Sequence, residues 1–170
     1  MGIVHPHLWY SDNALEAAEF YVSVFPNSRI THVVHAPADM PGVSKGAPFV
    51  VSFELDGQPV EAISAGPSLQ LNAAFSFVVD CEDQAEIDHY WDALLAGGGQ
   101  PVACGWLTDR FGLSWQVVPR RLMELTLSPD ADPEGAARAT QVMLTQTKLD
   151  IAALEAAYRG ESPGSPHSAR

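Results

Sequence analysis

The spacing of hydrophobic side chains changes along the chain, and it predicts a mixture of helices and strands. Residues 14–25 carry apolar side chains at three- and four-residue steps, which predicts an amphipathic helix. Residues 49–55 alternate between apolar and other side chains, which predicts a strand with one buried face. The Asp56-Gly57 pair that follows predicts a hairpin turn into a strand over residues 59–64. Two more strands are predicted over residues 3–10 and 30–36.

The same order of elements then begins again. The pattern predicts a strand, an amphipathic helix and two further strands, over residues 73–79, 84–96, 101–107 and 113–118. Counting four residues on from the turn glycines Gly57 and Gly112 leads to Glu61 and Gln116. We therefore predict two similar halves, in which Glu61 and Gln116 hold equivalent inner positions.

The last part of the chain is rich in alanine and leucine and predicts helices. Residues 133–147 and 151–158 each follow an aspartate that suits a helix N-cap. Residues 122–127 fit a strand or a short helical turn, and we favour the helix. From residue 161 onward serine, proline and glycine dominate, so we expect a disordered tail.

Charge and composition limit the classes of partner. The 170 residues include 21 acidic and 9 basic side chains, a formal net charge of −12. Nucleic acids and anionic membranes require clustered Lys and Arg, so neither is an expected partner. No apolar run reaches the length of about 18 residues that spans a bilayer. Because residues 1–4 do not resemble a signal peptide, we expect a cytoplasmic protein in which Cys81 and Cys104 are reduced.

Several familiar catalytic motifs are absent from the sequence. It contains no Gly-x-Gly-x-x-Gly after a predicted strand, no phosphate-binding P-loop and no Gly-x-Ser-x-Gly elbow between a predicted strand and a helix. It also contains neither Cys-x-x-Cys nor His-Glu-x-x-His, the motifs of many metal sites. These absences argue against the common nucleotide-binding, hydrolase and helix-borne metal classes.

Polar side chains on two predicted strands are the first candidates for a site. His5, His7 and Trp9 share one face of the first strand and are able to present two imidazoles to a cavity. The alternative is a hydrogen-bonded or exposed pair of histidines near the N-terminus. Ser52 and Glu54 lie on the polar face of their strand, where a carboxylate is most often simply solvated.

Two further candidates lie in the second half. Gln116 falls within a predicted strand, where a glutamine usually satisfies a neighbouring polar group rather than a substrate. Cys104 precedes the last predicted hairpin, and a thiol nucleophile there would need a nearby base. A buried structural thiol is the favoured interpretation of Cys104.

Several segments together resemble a known family. Residues 8–10, 17–21 and 25–28 resemble the first half of the PhnB-like family, within the vicinal-oxygen-chelate (glyoxalase/bleomycin-resistance) superfamily. Residues 81–88 with 90–91, 104–107 and 109–116 resemble the second half of that family, and residues 148–154 resemble its C-terminal helix. The resemblance extends over about residues 3–160.

The resemblance implies a fold. That fold is α+β, with tandem βαβββ modules forming a cup-shaped mixed sheet, followed by C-terminal helices. A single domain over residues 1–160 would contain these parts, usually as a homodimer. The implied bounds are residues 3–66 and 73–119 for the modules, 120–160 for the helices and 161–170 for the tail.

The resemblance also implies positions for metal ligands, on the first and last strand of each module. Carried over by position, these are His5, Glu61, Ala74 (or Phe75) and Gln116. Alanine cannot bind a metal, so the implied site is a three-ligand one of His5, Glu61 and Gln116 around one divalent ion.

The leading functional hypothesis is a PhnB-like protein that binds a small organic molecule. If it is an enzyme, the resemblance implies metal-assisted chemistry on vicinal oxygens, with Glu54 or His7 carrying a proton. The candidate pocket residues are Trp9, Ser52, Cys104, Trp106 and Trp115.

Two alternatives remain at this point. One is a metal-free protein that sequesters its ligand without turnover, for which the acidic surface favours a cationic ligand. The other is the demethylubiquinone methyltransferase named in the family's label. We do not expect methyl transfer, because the sequence contains no recognisable loop for a methyl donor.

Overall fold

The computed structural model describes residues 3–161. The chain divides into two compact units, Met1–Phe75 and Ser76–Arg170. The elements of the first unit are β1 (His7–Tyr10), α1 (Ala14–Val24), β2 (Arg29–His35), β3 (Pro48–Leu55) and β4 (Gln58–Ser64). Those of the second are β5 (Ser76–Cys81), α2 (Gln84–Leu95), β6 (Gln100–Pro101), β7 (Trp106–Thr108), β8 (Ser114–Pro119), α3 (Arg120–Thr126), α4 (Pro133–Thr145) and α5 (Ile151–Arg159).

The first unit is a four-stranded sheet with α1 packed on one face. The strand order is β1-β4-β3-β2, in which β1 and β4 run parallel and the other neighbours are antiparallel. Alternation along β3 and β4 turns Val51, Phe53, Val60 and Ala62 toward the helix, where they are fully buried. The Tyr21 ring of α1 packs over this face, 6.4 Å from the Phe53 ring between centroids. The opposite face carries the polar residues, and we call it the open face of the first sheet.

The second unit repeats this arrangement. Its strand order is β5-β8-β7-β6, with β5 and β8 parallel, so each unit contains one βαβββ module. The predicted α+β fold of tandem βαβββ modules followed by helices is therefore confirmed. Residues 122–127 are helical for the most part, as favoured, because α3 spans Arg120–Thr126. The predicted single domain and the cup shape stay predictions.

The strand predicted over residues 101–107 is wrong. The structure divides it into β6 and β7, because Cys104 and Gly105 have φ angles of 60° and 80° that no strand continues through. Their amide groups donate to the carbonyl oxygens of Gln146 and Thr147, each at 2.8 Å. Two left-handed residues thus form a loop that is fixed to the segment after α4.

The C-terminal helices have a small core of their own, built from Leu122, Leu125, Leu149 and Leu154. Gln84 at the start of α2 joins them to that helix, since its Oε1 accepts from the Ile151 amide and its Nε2 donates to the Leu149 carbonyl. No helix within residues 3–161 is both long and apolar enough to cross a membrane. Apart from Glu161, the predicted disordered tail lies outside the described residues.

Candidate functional site

A row of polar side chains crosses the open face of the first sheet. The strand register places His7 opposite Glu61, Glu61 opposite Ser52, and Ser52 opposite His32. Opposite residues on paired strands point to the same side and lie about 5 Å apart. The first unit therefore gathers residues from all four strands into one polar row.

Glu61 is the centre of this row. Its amide donates to the Pro6 carbonyl at 3.0 Å, which continues the β1–β4 pairing and brings His5 beside it. The Nε2 atom of His5 lies 3.1 Å from Oε2 of Glu61, and the Ser52 hydroxyl donates to Oε1, also at 3.1 Å. We call these three side chains the Glu61 cluster.

The cluster favours an ionised carboxylate. The hydrogen bond from His5 lowers the pKa of Glu61, partial burial opposes that effect, and Ser52 together with the nearby His5 and His7 rings lowers it further. An ionised carboxylate only accepts hydrogen bonds, so His5 donates through Nε2. The Nδ1 atom of His5 is buried and has no hydrogen-bond partner among residues 3–161.

Glu54, a predicted proton carrier, is held by a different partner. Its carboxylate forms an ion pair with Arg29 at 2.9 Å, and the two side chains are 28% and 71% exposed. Register places Glu54 opposite Pro59, one open-face position away from Glu61. The role proposed for Glu54 stays a prediction, and the structure adds the requirement that Arg29 release it.

The other predicted residues of β1 lie at the edge of the sheet. The Trp9 indole is half-buried and donates from Nε1 to the Gly66 carbonyl at 2.9 Å. His7 is exposed and lines a groove of about 390 Å³ between the β1 edge and the segment that ends the unit. The other residues that line this groove include Gln70, Leu71, Asn72, Ala74 and Phe75, and we call it the 70–75 groove.

The second sheet contains a neutral counterpart of the His5–Glu61 pair. Gln116 lies opposite Val78, as Glu61 lies opposite His7, and its Nε2 donates to the Ser76 hydroxyl at 2.9 Å. In both units the last strand's polar residue therefore bonds to a residue two positions before its partner on the first strand. The position equivalent to His5 is Ser76, which corrects the assignment of Ala74 or Phe75.

Trp115 does not fit the predicted role of a pocket wall. It is 2% exposed in the core of the second unit, with its ring 5.3 Å from that of Phe77. Its Nε1 donates to Oδ2 of the buried Asp109 at 2.8 Å. Cys104 is half-buried, so it is not the buried thiol that the sequence favoured. Trp106 is half-buried too, and the assignment of both residues to a pocket stays a prediction.

The model of the 3-demethylubiquinone-9 3-methyltransferase family matches residues 3–118. The chain belongs to this PhnB-like family. A PhnB protein from Bacillus cereus is 27% identical, with a TM-score of 0.61, over 69% of this chain and 99% of that one. A Pseudomonas aeruginosa protein of 20% identity has the same fold, with a TM-score of 0.57 over 70% of this chain and 98% of that one.

A fosfomycin resistance protein of the wider vicinal-oxygen-chelate superfamily, FosX from Listeria monocytogenes, also matches. It is 20% identical with a TM-score of 0.48, over 67% of this chain and 87% of that one. None of the curated proteins matches the chain. In this PhnB-like protein the methyltransferase term is the name of a family model and assigns no reaction.

The side chains of the first unit do not complete the metal site implied for this PhnB-like protein. His5 and Glu61 are a suitable imidazole and carboxylate, but they bond to each other and Ser52 adds only a neutral hydroxyl. Within the described part of the chain, no three His, Cys, Asp or Glu side chains are grouped to hold a metal ion. These residues alone do not form a divalent-metal site, and Gln116 as a third ligand stays a prediction.

Proposed function

We propose that this PhnB-like protein binds a small organic molecule on the open face of its first sheet, with Glu61 contacting a positively charged group. The observation that carries the proposal is the Glu61 cluster, in which two neighbours hold one carboxylate in its ionised form. Because hydrogen bonds already fix this carboxylate, its side chain loses little conformational entropy when it binds a cation.

The charge of the whole chain supports a cationic ligand. With a formal net charge of −12, the protein attracts cations and repels anions over distances longer than a contact. The Glu61 side chain is 27% exposed, so it is accessible and yet partly shielded from water. A charge-assisted hydrogen bond there contributes about 1.5–3 kcal/mol.

Binding of an organic ammonium ion tests this proposal. We expect n-butylamine, measured by calorimetry at low salt, to bind the wild type and to lose about tenfold or more in affinity with Glu61→Gln. The matched control is Glu19→Gln, which removes the same charge from an exposed position on α1, the helix on the other face of the sheet. Equal affinities in the two variants would contradict the proposal.

A second candidate is a metal-assisted enzyme that acts on vicinal oxygens. It is supported by an imidazole and a carboxylate, both common metal ligands, side by side at His5 and Glu61. These two and Gln116 would hold one divalent ion, which acts as a Lewis acid on adjacent oxygens, and Glu54 or His7 would carry a proton.

Elemental mass spectrometry of the purified protein distinguishes this candidate from metal-free binding. Stoichiometric metal that is lost in both His5→Ala and Glu61→Ala would support the enzyme. An unchanged metal content in these variants, or no uptake after exposure to divalent ions, would remove this ligand set and leave a metal-free binding protein.

Two further proposals follow from the family. We propose that the chain forms a homodimer, as the resemblance implies, and light scattering at micromolar concentration tests it directly. For the methyltransferase label, calorimetry with a sulfonium methyl donor is the matching test, and we expect no binding.

A further inference from the structure

We propose that the 70–75 groove is the second half of the ligand site and takes the aromatic end of an organic cation whose charged end contacts Glu61. This inference rests on the proposed function and specifies the class of ligand. It commits to an amine or amidine that carries a flat apolar ring, separated from the charge by a short chain.

The groove has the size and the lining of a ligand site. Its volume of about 390 Å³ falls in the range of small-molecule pockets. Leu71, Ala74 and Phe75 supply apolar surface, and Phe75 is 42% exposed, which is unusual for a large aromatic side chain. A ring placed there would cover this surface and gain the contact energy of an aromatic pair.

The wall of the groove is ordered by a local turn. Oδ1 of Asn72 accepts a hydrogen bond from the Ala74 amide at 2.8 Å, which fixes the backbone just before Phe75. One wall of the groove is therefore a segment whose backbone is held by a hydrogen bond. This order lowers the entropic cost of binding.

His7 connects the groove with the Glu61 cluster. It lines the groove, lies opposite Glu61 in the strand register and contributes to lowering the pKa of that carboxylate. Neighbouring strands lie about 4.8 Å apart, so a group beyond the outer edge of β1 lies between one and two strand spacings, about 5–10 Å, from the Glu61 row. A ligand that uses both parts needs a chain of about four carbons between its ring and its charge.

A series of amines tests the two-point geometry. We expect 4-phenylbutylamine to bind about tenfold more tightly than n-butylamine, and benzylamine, with its shorter chain, to gain much less. Phe75→Ala should remove that tenfold gain and leave n-butylamine unchanged. The matched control is Leu69→Ala, which shortens an apolar side chain of similar exposure in the same segment but outside the groove.

The outcomes separate this inference from the proposed function. If Glu61→Gln weakens the binding of 4-phenylbutylamine but Phe75→Ala does not, the groove is not part of the ligand site and the cation site at Glu61 is retained. If Phe75→Ala weakens both 4-phenylbutylamine and uncharged 4-phenyl-1-butanol while Glu61→Gln changes neither, the groove stands and the cation site is wrong. Amide chemical shifts of the wild type give a test without mutation, because 4-phenylbutylamine must move the signals of residues 70–72, and unmoved signals would overturn the groove.

Discussion

Replacing Asp109 with asparagine should destabilise the second unit strongly, although the change is nearly isosteric. Asp109 is 4% exposed, at the turn between β7 and β8. Its Oδ1 accepts from the amides of Phe111 and Leu113 at 2.8 and 3.1 Å, and its Oδ2 accepts from the Trp115 indole. One nearly buried carboxylate thus accepts from three donors.

Asparagine retains one acceptor oxygen but presents an NH₂ group where the second oxygen was. Two donors then face each other at the Trp115 indole, which loses its bond and stays buried. Loss of a charge-assisted hydrogen bond with a buried unpaired donor costs about 3 kcal/mol. With a urea m-value of about 2 kcal/mol/M, the unfolding midpoint should fall by about 1.5 M.

Urea unfolding followed by circular dichroism measures this change, with Asp56→Asn as the matched control. Asp56 occupies the corresponding hairpin turn of the first unit, before β4, but it is exposed, so its replacement should cost less than about 0.5 kcal/mol. A double-mutant cycle with Trp115→Phe should show a coupling energy of about 1–2 kcal/mol. Equal midpoints for Asp109→Asn and Asp56→Asn would refute the assignment of Asp109 and Trp115 to a bonded core pair.

Three further predictions concern titratable groups. The pKa of Glu61 is lowered in the folded protein, so ionised Glu61 adds to the free energy of unfolding above the ordinary pKa of 4.5. This contribution is lost as the pH falls through the lower pKa of the folded state. The stabilities of the wild type and Glu61→Gln, measured by urea titration, should therefore converge at acid pH. Ser52→Ala removes one hydrogen bond to that carboxylate and should raise its pKa toward the ordinary value, which ¹³C NMR of the carboxyl carbon measures; an unchanged pKa would contradict the role of Ser52. Burial raises the pKa of the Cys81 thiol to about 12, so a disulfide reagent should modify Cys104 in the native protein and Cys81 only after unfolding; equal rates would refute this.

Elements with a regular local pattern were predictable from the sequence. Alternation over residues 49–55 identifies Val51, Phe53 and Leu55 as buried, because one face of a strand must cover the helix. The break at Cys104 was not predictable, since its left-handed backbone depends on hydrogen bonds to residues more than 40 positions away. Local propensity contains no information about such a partner.

The sequence could predict which face of the sheet carries the candidate site, but not which of its residues pair across neighbouring strands. Parity alone places His5, Ser52 and Glu61 on the polar sides of their predicted strands, and the structure joins them by hydrogen bonds although β1 begins only at His7. His32 was missed because an irregularity between Ile30 and His32 shifts the alternation of β2, so that Ile30 faces the core and His32 still faces Ser52. The displacement from Ala74 to Ser76 has a different origin, because β5 is regular and its start is fixed by its pairing with β8.

The two modules share one geometry and differ in charge, and this difference determines which residue should control recognition of a cation. The polar residue of the last strand is an ionised carboxylate at Glu61 but a neutral amide at Gln116, bonded to His5 and Ser76 respectively. A neutral hydrogen bond contributes about 1 kcal/mol, whereas one to a charged group contributes up to about 3 kcal/mol. Gln116→Ala should therefore weaken n-butylamine by no more than about fivefold, less than Glu61→Gln does. A larger loss with Gln116→Ala than with Glu61→Gln, measured by the same calorimetry, would place the dominant contact in the second module and refute the assignment of the cation to the first.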